Sequence, residues 1–373
     1  MPFPDITLPK IDAYAAKRVL AQRIMNNVVQ SLIWRDGLGI TERFSDNVMA
    51  AQVRIIRQRM PEQRSRTMGP NTNPILNDGH FNTLAPEQPL TTEYDLPLIE
   101  MFDRNVDIAD VLDDMIQIGT LNITINTLEQ QLARLINAYT MAAKIAAALN
   151  FDAGQGGGEL IIWDPADPLV DALAEAHARL DLGSATHGVD TFPQENRIAV
   201  FRTEGKYALI RAAAPVYNLG SSRAVELLEI GSAGKLVKAP ETDNTGYFGE
   251  LYNTPLHMAS PIIWSLAEEY LGLQEGDLDG IIGIVSASQA TGRGIAFQNS
   301  VKIIDNPRGQ GYRLQPKTRW GVRNWIPEGE RLIVVAGEGV QDFVNPVDGT
   351  SESTLAETSL SVAGPDTDLG FLG

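Results

Sequence analysis

Four aspartates in a short stretch are the first residues whose spacing suggests chemistry. They are Asp107, Asp110, Asp113 and Asp114. The pattern predicts a short amphipathic helix over residues 106–116 with these carboxylates on one side. Carboxylates so placed can ligate a hard cation, but nothing nearby completes a coordination shell. We therefore favour a solvated acidic face over a metal site, and we expect no metal or other cofactor.

Motifs for catalysis give little support for an enzyme. No two of the four histidines have the spacing of metal ligands. They are His80, His177, His187 and His257. The segment 229–236 comes close to a phosphate-binding loop, but Glu229 replaces the first glycine and Leu236 replaces the hydroxyl residue that binds magnesium. Ser286 and Ser288 follow a predicted buried strand, as serines often do. An α+β enzyme with a dispersed site around Ser286–Arg293 stays an alternative, which a monomeric or dimeric solution state would favour.

The composition is that of a globular protein with a surplus of acidic residues. The 373 residues are 43% hydrophobic and 21% charged, with a net charge of −17 and no cysteine. Disulfides and thiolate metal sites are therefore excluded. Phosphate binding needs clustered Lys and Arg, so the charge argues against a protein whose main task is to grip nucleic acid. No long apolar run or signal peptide is present, and we expect no membrane association.

The charge is spread unevenly along the chain. Residues 1–70 hold eleven Lys or Arg against six Asp or Glu. After Arg331 there are seven acidic residues and no basic one. We interpret the two ends as a solvated basic arm and a solvated acidic tail.

Two long amphipathic helices are predicted in the first half of the chain. Residues 11–34 have apolar side chains near helical spacing, with basic residues between them. Residues 127–150 carry an apolar stripe, and Thr127 with Gln130 fits a capping box at its start. At 1.5 Å per residue this second helix would be about 35 Å long. The glycine-rich block 154–158 after it predicts a hinge or linker.

Between these helices the sequence predicts a long hairpin. Val53–Arg57 has the pattern of a strand and Thr91–Leu98 that of a return strand, with prolines and an Asp78-Gly79 turn between them. Five arginines lie along it, Arg54, Arg57, Arg59, Arg64 and Arg66. Two arms of about 20 residues would reach about 60 Å, more than the radius of an ordinary domain. Such a segment predicts packing against another subunit.

The second half of the chain alternates predicted strands and helices in α+β or α/β style. The predicted strands are Leu160–Trp163, Arg197–Arg202, Tyr207–Arg211, Ile281–Ser286, Tyr312–Val322 and Arg331–Ala336, the last two joined by a turn at Pro327–Glu330. The predicted helices are Pro168–Leu182 and Pro261–Leu271. Residues 338–373 are rich in Ser, Thr, Gly and Asp and predict an extended or loosely held tail.

The order of these elements resembles the major capsid proteins of tailed bacteriophages, the Hong Kong 97-like coat family. The most telling pieces are Gln88–Asp95 leading into Asp107–Asp110, and Tyr312–Val322 followed by Leu332–Ala336. The resemblance covers nearly the whole chain. It implies an α+β fold with an N-terminal arm, an extended hairpin called the E-loop, a spine helix with a peripheral β-sheet, and an apical α/β domain.

The resemblance also implies a division of the chain. It places the N-terminal arm and helix at 1–50, the E-loop at 51–100, the peripheral domain with the spine helix at 101–158, the apical domain at 159–310, return strands of the peripheral domain at 311–337, and the acidic tail at 338–373.

The family implies self-assembly as pentamers and hexamers into an icosahedral head that encloses double-stranded DNA. The E-loop of each subunit lies over a neighbour, which would bring its arginines against an acidic face. The candidate inter-subunit contacts are Arg54, Arg57, Arg59, Arg64, Arg66, Asp107, Asp110, Asp113 and Asp114. Expected partners are further copies of the chain, scaffold and portal proteins, a cement protein as an option, and DNA bound without sequence specificity. The expected location is the virion, after assembly in the host cytoplasm.

The chain departs from the family at one point. Some members join the E-loop to a neighbour through a Lys–Asn isopeptide bond, but no lysine lies between Lys17 and Lys144. We therefore expect no such cross-link. The start at a Met close to the first helix predicts a separate scaffold in place of an internal scaffolding domain.

Two assembly alternatives stay open. An encapsulin-like nanocompartment would have much the same order of elements, and it would hold a cargo enzyme in place of nucleic acid. A tail-tube or sheath protein would form open helical tubes in place of closed shells.

Overall fold

The computed structural model describes most of the chain between residues 10 and 336. The described residues are 10–45, 51–59, 90–103, 106–109, 120–149, 160–184, 187, 189–216, 246–297, 302–305 and 311–336. The glycine block 154–158, the Asp78-Gly79 turn, the loop-like segment 229–236 and the tail 338–373 lie outside them. Among the described residues, no helix combines the length and the apolar character needed to cross a lipid bilayer.

Five α-helices are found in the described residues. They are α1 (Lys10–Gln30), α2 (Thr120–Leu149), α3 (Leu169–Asp181), α4 (Thr203–Val216) and α5 (Pro261–Leu271). The predictions of α1, α3 and α5 are confirmed within a few residues. We call α2 the spine helix; its 30 residues span about 45 Å at 1.5 Å each.

The spine helix begins seven residues before its predicted start. Thr127 lies in its interior, so the predicted capping box at Thr127 and Gln130 is wrong. Residues 120–126 are rich in Thr, Ile and Asn, which have low helix propensity. Propensity is a weak preference, and extending a formed helix costs far less than starting one.

Sixteen β-strands are found in the same residues. They are β1 (Arg35–Asp36), β2 (Gly39–Ser45), β3 (Gln52–Arg59), β4 (Leu90–Pro97), β5 (Glu100–Asp103), β6 (Val106–Ala109), β7 (Leu160–Trp163), β8 (Arg197–Phe201), β9 (Tyr247–Leu251), β10 (Thr254–Met258), β11 (Ile281–Ala287), β12 (Thr291–Phe297), β13 (Lys302–Asp305), β14 (Gly311–Gln315), β15 (Lys317–Asn324) and β16 (Glu330–Val335). They form four sheets.

The largest sheet has six strands in the order β7-β16-β11-β8-β10-β9. Its central strands are buried along their whole length because both faces are covered. On β8, Ala199 and Phe201 face a core shared with α3 and α4, whereas Ile198 and Val200 face a core shared with α5 and the spine helix. The spine helix thus closes one face of this sheet.

The second sheet has five strands in the order β1-β2-β12-β15-β5. Ile295 of β12, Trp320 of β15 and Phe102 of β5 pack against α1 and the first half of the spine helix. The spine helix therefore contacts both large sheets and is the element common to the two halves of the fold. The two smaller sheets are β13-β14-β6 and the β3-β4 hairpin.

Two segments take the opposite structure from the one predicted. The predicted helix over 106–116 is wrong for Val106–Ala109, which form β6 and pair antiparallel with β14. Val106 and Ile108 are two residues apart, as on one face of a strand, and four residues are too few to separate this period from that of a helix. The predicted strand Tyr207–Arg211 is also wrong, because it lies within α4. Gly205 and Leu209, four residues apart, are the buried positions there, as a helix requires.

The predicted strand Tyr312–Val322 is divided in two at Pro316. β14 pairs in the three-stranded sheet and β15 in the five-stranded sheet. Proline has no N–H to continue a ladder, which explains the break. β16 forms as predicted but does not pair with β15, since it lies in the six-stranded sheet next to β7 and β11. A 3₁₀ helix, Pro327–Gly329, carries the chain from one sheet to the other.

Candidate assembly surface

The predicted hairpin exists as a separate two-stranded sheet. β3 and β4 pair antiparallel over eight positions, from Gln52 opposite Pro97 to Arg59 opposite Leu90. At the inner end of the hairpin, Nε of Arg54 lies 3.1 Å from Oδ1 of Asp95, and the two side chains are 56% and 47% exposed. Such an exposed pair contributes at most about 1 kcal/mol. The candidate contact Arg54 thus has an ionic partner on its own hairpin.

The structure places only some of the other candidate contact residues. Arg57 and Arg59 lie on β3 opposite Thr92 and Leu90, and Asp107 lies on β6 opposite Arg313. Their side chains are outside the described residues, as are Arg64, Arg66, Asp110, Asp113 and Asp114 altogether. The pairing of arginines with aspartates stays a prediction about two subunits.

Three glycines receive the inner end of the hairpin. Gly294 of β12 and Gly321 of β15 are direct cross-strand partners, and Gly292 is two residues from Gly294 on the same strand face. We call these three residues the glycine seat. They contact a small apolar cluster at the root of the hairpin, made of Val53, Ile55, Leu96, Leu98, Ala296 and Trp325.

The seat has no room for side chains. A methyl group added to Gly321 would lie 1.9 Å from the carbonyl oxygen of Pro97. One added to Gly292 would lie 2.1 Å from the ring of Trp325, and one added to Gly294 would lie 2.9 Å from Cδ2 of Leu96. The absence of side chains is therefore what lets the hairpin approach the sheet this closely.

Behind the seat, the opposite face of the same strands meets a buried ion pair. The guanidinium of Arg293 contacts Oε1 of Glu42 at 2.8 Å, and the two side chains are 0% and 2% exposed. Arg293 also donates to the carbonyl oxygen of Trp34 at 2.7 Å and to Oγ1 of Thr140 on the spine helix at 3.3 Å. Three elements converge on one guanidinium: β2, the end of the segment after α1, and the spine helix.

A second buried ion pair ties the spine helix to the six-stranded sheet. Nζ of Lys144 lies 2.7 Å from Oε1 of Glu330 and donates to the carbonyl oxygen of Gly39, also at 2.7 Å. Thr291 of β12 donates to the same carboxylate oxygen at 2.6 Å, and Nδ2 of Asn324 donates to Thr291 at 2.8 Å. We call the two ion pairs together the ionic joint. It connects the spine helix with β2, β12, β15 and β16.

Burial disfavours the charged forms of the side chains in the ionic joint. Burial raises the pKa of Glu42, and the nearby Arg293 opposes that effect. Burial lowers the pKa of Lys144, and Glu330 opposes that effect. In each case desolvation is the larger influence, so each charge depends on its partner to remain in the interior.

Sequence reasoning missed both the seat and the joint. A signal for the seat was present, because small and large residues alternate in Gly292-Arg293-Gly294-Ile295-Ala296-Phe297. A signal for the joint was Lys144 in an otherwise apolar helical stripe, and Arg293 within a strand of apolar and glycine residues. The sequence does not indicate the ionic partner of Lys144 or Arg293, because the two residues of each ion pair are more than 180 positions apart.

The enzyme alternative around Ser286–Arg293 gains no support from the geometry. Ser286 and Arg293 are fully buried, and Ser288 is 4% exposed. A substrate cannot reach these side chains in this conformation. Arg293 is moreover engaged in the ionic joint.

A hydroxyl–imidazole–carboxylate group joins the segment after α3 to the 3₁₀ helix that precedes β16. Oγ of Ser184 is 3.1 Å from Nδ1 of His187 and 3.0 Å from Oε1 of Glu328, whose Oε2 is 3.3 Å from the same Nδ1. A catalytic relay uses the two ring nitrogens for two different partners. Here Ser184 and Glu328 both contact Nδ1 of His187, so we interpret the group as a structural link between two segments of the chain. Within the described residues, no three His, Asp or Glu side chains gather as a metal site.

Comparison with known proteins finds likeness in structure only. No family model matches the sequence, and no curated protein matches it. A solved structure named as the capsid of the Cyanophage P-SCSP1u is similar at 14% identity and a TM-score of 0.49, over 81% of this chain and 88% of that one. The capsid of Ralstonia phage GP4 is similar at 12% identity and a TM-score of 0.46, over 80% and 87%.

A virus-like particle from Pyrococcus furiosus is also similar, at 9% identity and a TM-score of 0.42, over 85% of this chain and 99% of that one. At these identities and TM-scores the likeness alone establishes no function for this chain. The described residues themselves contain the hairpin, the spine helix, a sheet packed on that helix and a second, helix-covered sheet, in the predicted order. The described residues have an α+β fold with the order of elements that the Hong Kong 97-like resemblance implied, and the chain is similar in structure to solved phage capsids.

Proposed function

We propose that this chain is the major capsid protein of a tailed bacteriophage. It assembles as pentamers and hexamers into an icosahedral head around double-stranded DNA. The observation that carries the proposal is the hairpin: a two-stranded sheet seated at its root on the five-stranded sheet and joined to no other strand among the described residues.

The physical argument starts from the instability of an isolated hairpin. Two strands alone are marginally stable in water, and three strands or a packed face are normally needed. Among the described side chains of the hairpin, the glycine seat and its apolar cluster cover those at the root, Val53, Ile55, Leu96 and Leu98. A second copy of the chain supplies a surface for the remainder, and that contact is repeated by symmetry in every subunit.

Repetition turns modest contacts into a stable shell. Each subunit in a closed lattice is held by several neighbours at once, so contacts that are weak singly act together. The spine helix and the ionic joint suit this role, because they tie both large sheets of a subunit to one strut. A stiff subunit keeps the relative positions of its contact surfaces fixed, so each contact constrains where the next neighbour can bind.

The charge balance suits a container. A strongly basic lining would hold DNA against the wall, whereas a net charge of −17 permits DNA to move during filling. The proposed partners are further copies of the chain, a scaffold protein, a portal, in some assemblies a cement protein, and DNA bound without sequence specificity. The protein would act in the virion after assembly in the host cytoplasm.

Light scattering after size-exclusion chromatography tests the proposal. The purified protein, alone and co-expressed with a scaffolding protein, is expected to give capsomers or shells many times the 40.6 kDa subunit mass. A 40.6 kDa species in both samples would contradict assembly. Particles from the native source that hold a cargo enzyme and no nucleic acid would identify a nanocompartment instead.

A further inference from the structure

The glycine seat faces the hairpin, and its strands face the ionic joint on their other side. Along β12 the residues alternate between these two tasks. Gly292, Gly294 and Ala296 lie towards the hairpin, whereas Arg293 and Ile295 lie towards the spine helix. The hairpin root therefore packs on the strand whose opposite face contacts the ionic joint and the spine helix.

The three seat residues differ in how much a side chain would disturb. At Gly321 the obstacle is the backbone of Pro97, 1.9 Å from an added methyl group, which cannot yield without moving the strand. At Gly294 the nearest atoms are Cδ2 of Leu96 at 2.9 Å, Cδ2 of Leu98 at 3.0 Å and Cβ of Val53 at 3.3 Å, and none of them is a backbone atom. Because three side chains of the root are crowded at once and no backbone atom is met, Gly294→Ala is the change expected to displace the root and preserve the fold.

A small displacement at the root becomes a larger one along the hairpin. The root between Val53 and Ile55 is about 7 Å long, and Gln58 lies about 16 Å from Val53 along β3. If Val53 stays in place, a shift of about 1 Å at Ile55 would therefore move Gln58 by about 2.5 Å.

We infer that the glycine seat sets the angle at which the hairpin leaves the subunit, and through it the angle between neighbouring subunits and the diameter of the shell. The part of this inference that concerns shell diameter rests on the proposed function. The part that concerns the hairpin angle belongs to the single subunit. Gly292, Gly294 and Gly321 are then positioning residues for assembly.

The angle is measured first, on unassembled subunits. Because the chain has no cysteine, spin labels can be placed specifically through Gln58→Cys on β3 and Arg134→Cys on the exposed side of the spine helix. Gly294→Ala should shift the distance between the labels by up to about 2.5 Å, following the lever estimate. Gly294→Ala with Leu96→Val, which removes one of the two crowded Cδ2 atoms, should reverse part of that shift. An unchanged distance in folded Gly294→Ala subunits would overturn the inference whether or not shells form.

Shell diameter is measured second, by electron microscopy of particles without labels. Ile295→Val is the matched control, since it also removes packing from β12 but on the face opposite the seat. We expect Gly294→Ala particles with a changed mean diameter or a broader distribution of diameters, and normal particles from the control. The Leu96→Val double variant should lie between Gly294→Ala and the wild type. A shifted label distance with normal diameter would contradict the link to shell size. No shells from the wild type would contradict the proposed function and leave the label result valid.

If Gly294→Ala subunits fail to fold, Leu96→Val alone tests the same contact. It removes an atom of the root and adds none to the sheet. The label distances should then broaden relative to wild type, and an unchanged distribution would overturn the inference.

Discussion

Nζ of Lys144 lies 2.7 Å from Oε1 of Glu330, and both side chains are fully buried. Lys144 belongs to the spine helix and Glu330 begins β16 of the six-stranded sheet. Thr291 of the five-stranded sheet donates to the same oxygen. One carboxylate thus joins the spine helix and both large sheets. Removing either member of the pair would leave an uncompensated charge in the interior.

The first prediction concerns this pair. Lys144→Met should lower the free energy of unfolding by about 3–5 kcal/mol, because Glu330 is left charged and buried. Adding Glu330→Gln should recover part of the loss, since the amide oxygen can still accept from Thr291 without carrying a charge. Urea denaturation of unassembled subunits measures both variants.

The exposed pair on the hairpin is the control for that experiment. Arg54→Met removes the partner of Asp95 at the surface and should cost at most about 1 kcal/mol. Equal losses from Lys144→Met and Arg54→Met would mean that the ionic joint does not hold the subunit together.

A second prediction concerns the arginines of the hairpin. Arg57→Glu with Arg59→Glu should stop assembly and leave the subunit folded, because the reversed charges would repel the acidic face of a neighbour. Circular dichroism checks the fold, and electron microscopy checks assembly. Normal particles from this variant would refute the proposed contact.

Arg54 needs its own test, because it is a candidate contact to a neighbouring subunit and already pairs with Asp95 on its own hairpin. Arg54→Glu alone reverses one charge, and Arg54→Glu with Asp95→Arg exchanges the pair. Recovery of assembly by the exchange would assign Arg54 to its own hairpin. A continued defect would assign it to a neighbouring subunit.

The third prediction is a pH dependence at His177. Burial, aided by Arg197, lowers the pKa of His177 from 6.5 to about 4, with Asp181 acting in the opposite direction. Arg197 contacts Nδ1 at 3.1 Å, so the neutral ring accepts there. A lowered folded-state pKa means that this stability is complete above pH 6.5 and is lost as the pH falls towards 4.

His177→Asn tests this effect because it keeps an acceptor near Nδ1 and cannot take up the proton. Between pH 6.5 and 4 the wild type should lose more stability than the variant, by at most about 1.4 kcal/mol per pH unit. Unfolding followed by urea at a series of pH values gives the difference. Parallel curves for the two proteins would show that His177 does not titrate in this way.

The fourth prediction concerns covalent chemistry between subunits. Without a lysine between Lys17 and Lys144, the hairpin cannot donate an amine to an isopeptide bond. Mature particles boiled in detergent should give a single band at the subunit mass. A ladder of multiples would contradict this prediction.

Much of the fold could be predicted because its elements have clear local patterns. The strand-like patterns of β3 and β4 predict the hairpin, and the apolar stripe of residues 127–150 predicts the spine helix. Short segments were less certain, since Val106–Ala109 satisfies the periods of a strand and of a helix, and its pairing with β14 decides between them. The same holds for Tyr207–Arg211, where contacts of Gly205 and Leu209 with the sheet favour a helix.

The ionic joint could not be predicted, because its partners are far apart in the sequence. Lys144 and Glu330 are 186 residues apart, and Glu42 and Arg293 are 251 apart. A charged residue in an apolar pattern indicates that a partner exists but not which one. The folded topology alone brings the pairs together.

Negative-stain electron microscopy of the purified, overexpressed protein, alone and co-expressed with a scaffolding protein, tests the central claim most directly. We predict closed shells or rings of five and six subunits in at least one of the two samples. Uniform small monomers in both samples, or open helical tubes, would contradict the assignment as a capsid protein.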